Sequence, residues 1–185
     1  MNIKLFSVLF KIFRRIHITD TILKSIGVLL AFILGGLFTD IHQGFITYLG
    51  SLLACTSCVV VFDQKTMKDS LKNGWLRVVG TFIGALIAYI YLLLFPYSLI
   101  GMIICIVLLD MICMMIQIPD DGKMATITLI AVLLISKYSP KMSPLLNGTL
   151  RFSESTVGVA IGLGIMWLRL TMKMYLNKRN ENVDV

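Results

Sequence analysis

The stretch VVGTFIGALIAYIYLLLF, residues 78–95, contains no charged residue and is stopped by Pro96. A helix that crosses the hydrocarbon core of a bilayer takes about 20 apolar residues, so this run reads as a membrane span. Before it lies DQKTMKDSLKNGWLR, residues 63–77, which reads as a polar, basic loop. After Pro96 a second apolar block begins at Ser98. Working outward in both directions gives six spans: Leu23–Phe38, Gly44–Phe62, Val78–Phe95, Ser98–Ile118, Met124–Ser136 and Phe152–Leu170. The fifth is short for a free-standing span and implies tilt, local thinning or a broken helix.

Composition agrees with that reading. Of 185 residues, 57% are hydrophobic and only 15% charged, with a mean hydropathy of +0.88. A soluble domain is roughly 45–50% apolar and could not cover so much apolar surface with so few charges. The expected fold class is therefore all-α integral membrane, with six transmembrane helices. Six spans leave no room for a separate soluble catalytic domain. The formal net charge of +7 does not point to nucleic acid, because the basic residues form short clusters flanking apolar blocks.

Residues 1–17 set Lys4, Ser7, Lys11, Arg14 and Arg15 on one helical face, with Leu5, Phe6, Leu9, Phe10, Phe13 and Ile16 filling the rest. That is the pattern of an interfacial amphipathic helix lying on the lipid bilayer. The expected organisation is an interfacial helix at 1–20, a six-helix transmembrane domain at 21–172 and a polar cytoplasmic tail at 173–185. If the spans alternate, fourteen Lys and Arg fall on one side, leaving Lys137, Lys141 and Arg151 on the other. This excess places both termini in the cytoplasm of a multi-pass cell-membrane protein, with a bacterial inner membrane expected.

The third and sixth spans open alike. LRVVGTFIGALIA begins at Leu76 and LRFSESTVGVAIG at Leu150, matching Arg77 with Arg151, Gly84 with Gly158, and Ala88 with Gly162. The copies are three spans apart and so point oppositely across the membrane, as in transporters built from inverted 3+3 repeats. Gly80, Gly84 and Ala88, like Gly158 and Gly162, lie four apart and present small faces for close helix packing. Arg77 and Arg151 each stand at the expected start of a span, where arginine serves either as an interfacial anchor or as an attractant for anions, one at each mouth.

The stretch T-x-x-x-S-L-x-x-G-x-x-R-x-x-G-T-x-x-G-A, Thr66 to Ala85, resembles the loop and third span of the aromatic acid exporter family. That family belongs to the broader fusaric-acid-resistance group, which is distantly similar to plant aluminium-activated malate transporters. DGKMATIT (Asp121–Thr128) and NGTLRFSESTVGVAIG (Asn147–Gly162) resemble its fifth and sixth spans. The resemblance implies a six-helix membrane domain, efflux or permeation of small organic anions, aromatic carboxylates among them, and dimerisation. The chain departs from longer members in lacking a large cytosolic domain, so a homodimer is expected. A passive anion channel and a non-transporting scaffold or accessory subunit are the alternatives.

The remaining reactive residues form no recognisable catalytic set. Cys55 and Cys58 have C-x-x-C spacing but sit mid-span without a basic neighbour, which suits packing better than redox chemistry or metal binding. Asp110 is an ionisable group inside the fourth span and so a candidate for proton coupling. Glu154 follows Arg151 by three residues and reads as its intrahelical partner. Asp120, Asp121, Asp40 and His42 read as turn residues. The phosphate-cradling G-x-x-x-x-G-K-[ST], H-E-x-x-H and G-x-S-x-G motifs are missing, so neither an enzyme nor a chain that itself drives transport with ATP is expected. No cofactor and no metal are expected either.

Overall fold

A computed structural model describes residues 18–43, 47–115, 122–138 and 143–181, with side chains described for 19–37, 51–115, 122–138 and 143–175. The first seventeen residues of the expected interfacial helix lie outside this set, as do Asp120, Asp121, Lys141 and the last four residues. The side chains of Asp40 and His42 lie outside it too. Among the described residues the chain forms six helices: α1 (Ile18–Gln43), α2 (Thr47–Phe62), α3 (Met67–Leu94), α4 (Leu99–Met115), α5 (Gly122–Tyr138) and α6 (Pro144–Glu181). Three stretches are long and apolar enough to cross a membrane: Thr19–Leu37, Met67–Leu94 and Pro144–Tyr175. Ser51–Phe62 and Leu99–Met115 are shorter apolar helices.

Several helix ends differ from the sequence reading, for local reasons. The polar stretch read as a loop over 63–77 is helical from Met67 onward. Thr66 caps it: its Oγ1 accepts a hydrogen bond from the Asp69 amide at 3.1 Å and donates to Asp69 Oδ2 at 2.7 Å. This is a threonine N-cap. Phe95 is extended and precedes Pro96, which bars further helix, so α3 ends where expected. α6 starts at Pro144 rather than near Phe152, because proline is well placed in a first helical turn. α6 also continues through Glu181, past the expected start of the tail at 173. The turn expected at Thr39–His42 is helical backbone within α1.

The packing has a centre and a periphery. α6 packs against α1, α2, α3 and α5, and α3 packs against α2, α4, α5 and α6. α4 touches only α3 and α5 among the described helices. One core cluster joins Ala85 and Ala88 of α3, Cys105, Leu109 and Cys113 of α4, and Ala125, Leu129, Val132 and Leu133 of α5. A smaller one joins Leu23, Phe62 and Ile165. The outer surface is apolar, with Leu93, Ile100, Met115, Trp75 and Trp167 all exposed, which suits a hydrocarbon surrounding and not water.

Contacts at the helix ends show alternation. At one end Asp20 of α1 meets Arg169 (2.7 Å) and Lys173 (3.2 Å) of α6, and Lys24 meets Asp63 just past α2 (2.7 Å). At the other end Tyr91 of α3 donates its hydroxyl proton to Pro96 O at 3.1 Å, Ser98 Oγ accepts from the Gly101 amide, and Lys137 of α5 lies over the Tyr97 ring. Gly101 is needed there because a Cβ would collide with the Tyr91 hydroxyl.

Candidate functional site

α3 and α6 cross antiparallel, and most of the buried polar side chains gather where they meet. Arg77 is 10 residues into α3 (77 against 67) and Arg151 is 7 into α6 (151 against 144). Neither stands at a helix start, which corrects that part of the sequence reading. Both are buried inside the bundle, 3% and 0% exposed. The misplacement follows directly from the earlier starts of the two helices.

Arg77 is held by two neighbouring helices. Its Nε donates to Ser57 Oγ and its Nη2 to Thr56 Oγ1 at 2.7 Å, both on α2, and its Nη1 lies 2.7 Å from Met124 Sδ on α5. Ser57 Oγ is 3.2 Å from Ser155 Oγ of α6, which in turn lies 3.1 Å from Thr81 Oγ1 of α3. One turn away, Arg151 Nη1 is 2.8 Å from Glu154 Oε2, and both side chains are fully buried. Arg151 Nε and Nη2 make no hydrogen bond to a described residue. Asn147, also fully buried, donates to Val132 O at 3.0 Å and to Ser136 Oγ at 3.2 Å. The result is a buried polar belt with two guanidiniums and one carboxylate, hydrogen-bonded around Arg77 and held by an ion pair at Arg151.

The glycines make this close crossing possible. A Cβ on Gly84 would fall on the carbonyl of Ala125 in α5, and one on Gly158 would fall on the carbonyl of Ala54 in α2. Gly162 lies against Cys58 and Val61 of α2, while Gly80 and Ala88 are buried in α3. Two further contacts are reciprocal: a Cβ on Gly74 would lie 2.8 Å from Val159 Cγ1, and one on Gly148 would lie 3.4 Å from Ala85 Cβ. Gly74 matches Gly148, and Ala85 matches Val159, in the same ungapped register that pairs Arg77 with Arg151. Thr81 matches Ser155, so the pair at the centre of the crossing consists of counterparts touching each other.

The signal for this was in the sequence and extends further than the stretch from Leu76. Leu71-x-Asn73-Gly74-x-Leu76-Arg77 has the same pattern as Leu145-x-Asn147-Gly148-x-Leu150-Arg151. Ser155, Ser57 and Thr56 carried no comparable signal, since only the packing of the helices brings them into the network around Arg77.

Other candidate residues lie elsewhere. Asp110 is exposed on α4, where Thr126 Oγ1 donates to it at 3.4 Å, and it lines a cleft with Cys113, Gly122 and Lys123. It is not part of the buried belt. Cys55 Sγ lies 3.5 Å from Val28 O and Cys58 packs against Gly27 and Gly162. Among the described residues no three potential metal ligands cluster.

A family model described as fusaric acid resistance protein-like matches residues 30–165, which include the whole belt. The chain belongs to this family. Membership gives it a membrane transport or resistance-related role, and the family is not an enzymatic one. No curated protein and no solved structure matches the chain.

Proposed function

We propose that this fusaric acid resistance-like chain is a six-span subunit that moves small organic anions, aromatic carboxylates among them, out across the bacterial inner membrane. Both termini face the cytoplasm, two copies form the working unit, and α1–α3 and α4–α6 are inverted halves. The observation that carries the proposal is the pair of buried arginines on counterpart helices. Charged groups deep in a membrane protein are costly and generally serve the passage of ions or substrates. In inverted-repeat transporters the substrate site lies at the repeat interface near the bilayer midplane, and the burial of Arg77 and Arg151 beside the α3–α6 crossing supports such a site. The reciprocal contacts of Gly74 with Val159 and Gly148 with Ala85 support the inverted halves. The apolar exterior supports the membrane location.

The guanidiniums attract a carboxylate, and the hydroxyls of Thr56, Ser57, Thr81 and Ser155 replace part of its hydration shell. Moderate binding in such a site lets the anion enter and also leave. The test is benzoate flux from proteoliposomes, with protein-free vesicles subtracted. Wild type should show flux, and Arg77→Gln, purified as a folded protein, should lose most of it. Full flux in the variant removes Arg77 from the path. No wild-type flux of benzoate or other organic anions favours a scaffold or accessory role.

A further inference from the structure

We propose that Glu154 is a built-in competitor for the transported anion. It occupies Arg151 in the empty protein and gives up that place, taking a proton, when a carboxylate binds. This inference rests on the function proposed above. It starts from the ion pair itself: both side chains are fully buried, and Arg151 Nη1 lies 2.8 Å from Glu154 Oε2. None of the three guanidinium nitrogens makes a hydrogen bond to a described residue. A buried donor in that condition favours an incoming oxygen acceptor.

The carboxylate has no equivalent in the other half. In the register that matches α3 with α6, the counterpart of Glu154 is Gly80. α3 therefore carries the matching arginine but no carboxylate one turn on. The carboxylate has been added to one half only.

Charge accounts for the coupling. The belt holds Arg77, Arg151 and Glu154, for a net charge of +1. Adding a second carboxylate to the buried region would change that charge in a low-dielectric setting, at considerable cost. Exchange avoids this. A proton from the adjoining compartment bonds to a Glu154 carboxylate oxygen, the Glu154–Arg151 ion pair breaks, and the ligand carboxylate pairs with Arg151. Empty and loaded sites then carry the same charge, so anion and proton move together and electroneutrally.

Among the described residues Glu154 is the one carboxylate of the belt. α3 contributes Arg77, while α2 and α5 bring the hydroxyls of Thr56, Ser57 and Thr128 and the Cys58 thiol. From α1, Asp20 meets α6 at Arg169 and Lys173, of which Arg169, the nearer to Glu154, is 15 residues and therefore roughly 22 Å along the helix from it. Lys24 and Asp63 lie at that same end, and Lys137 lies at the other. Asp110 and Lys123 line the separate α4–α5 cleft.

The experiment is benzoate binding to the purified, detergent-solubilised chain across pH 5.5–8, with proton uptake on binding measured in weak buffer. Wild type should bind more weakly as pH rises, by up to about tenfold per unit for one coupled proton, and should take up one proton per benzoate. Glu154→Gln should bind at least as tightly as wild type at pH 5.5, with an affinity that varies less than about twofold over the range. Asp110→Asn should keep the wild-type profile. Benzoate binding without proton uptake by the unmodified chain overturns the inference and leaves the transport reading standing. It is also overturned if Glu154→Gln keeps the wild-type slope, or if Asp110→Asn loses it. Proton uptake needs no variant, so the inference stays testable if Glu154→Gln fails to fold. No benzoate binding, together with no flux of any organic anion, removes the transport reading itself.

Discussion

α3 and α6 are counterparts that share a glycine pattern and an arginine, yet they differ at the turn after that arginine. α3 has Gly80 there and α6 has Glu154. Arg77 is held by hydroxyls and a thioether from two neighbouring helices, whereas Arg151 faces a carboxylate of its own helix. The same packing plan therefore carries two electrostatic arrangements. The glycines fix how closely the helices cross, and the polar side chains decide what the crossing can bind.

Substitutions can break or sharpen that comparison, each read by thermal unfolding in detergent. The largest effect is expected from Arg151→Met, which removes one partner of a fully buried ion pair and should cost about 3–5 kcal/mol. A loss below about 1 kcal/mol would mean that Glu154 is not a buried carboxylate dependent on this arginine.

Gly84→Ala and Gly158→Ala come next. Each places a methyl on a backbone carbonyl of the neighbouring helix, at about 2–3 kcal/mol of overpacking. The two should resemble each other, since they make counterpart contacts. If one is tolerated and the other is not, the halves do not share a crossing geometry.

Asp20→Asn weakens the partly exposed cluster with Arg169 and Lys173 and should cost about 1 kcal/mol or less. High salt should reduce the difference further. Gly164→Ala is the smallest case. Nothing lies within 4 Å of a Cβ there, so stability should stay within about 0.5 kcal/mol or rise slightly through better helix propensity.

The all-helical fold was legible because long apolar runs broken by Pro96 and by charged turns leave few alternatives. Helix starts were less legible. Thr66 and Asp69 sit in a stretch whose Lys and Asp content resembles a loop, and their role as a cap depends on a hydrogen bond three residues apart. Pro144 looks like a loop residue until the helix after it is known. Reading these two starts late set Arg77 and Arg151 at helix starts, when both lie well within their helices. Glu154 was legible as a partner of Arg151, because three-residue spacing is a helical signature. Its complete burial was not, because that depends on α2, α3 and α5 closing around α6. Asp110 was legible as an ionisable group inside the fourth span, but its partner was not: only the packing of α4 on α5 brings Thr126 Oγ1 to it.

The central claim is that counterpart helices run oppositely across the membrane and bring both arginines to one shared site. Single cysteines at Lys65, just before α3, and at Ser143, just before α6, test it by labelling with a membrane-impermeant maleimide in intact cells and in inverted vesicles. The account predicts that Lys65→Cys is labelled only in inverted vesicles and Ser143→Cys only in intact cells. Labelling of both positions from the same side would contradict the inverted halves, and with them the shared site.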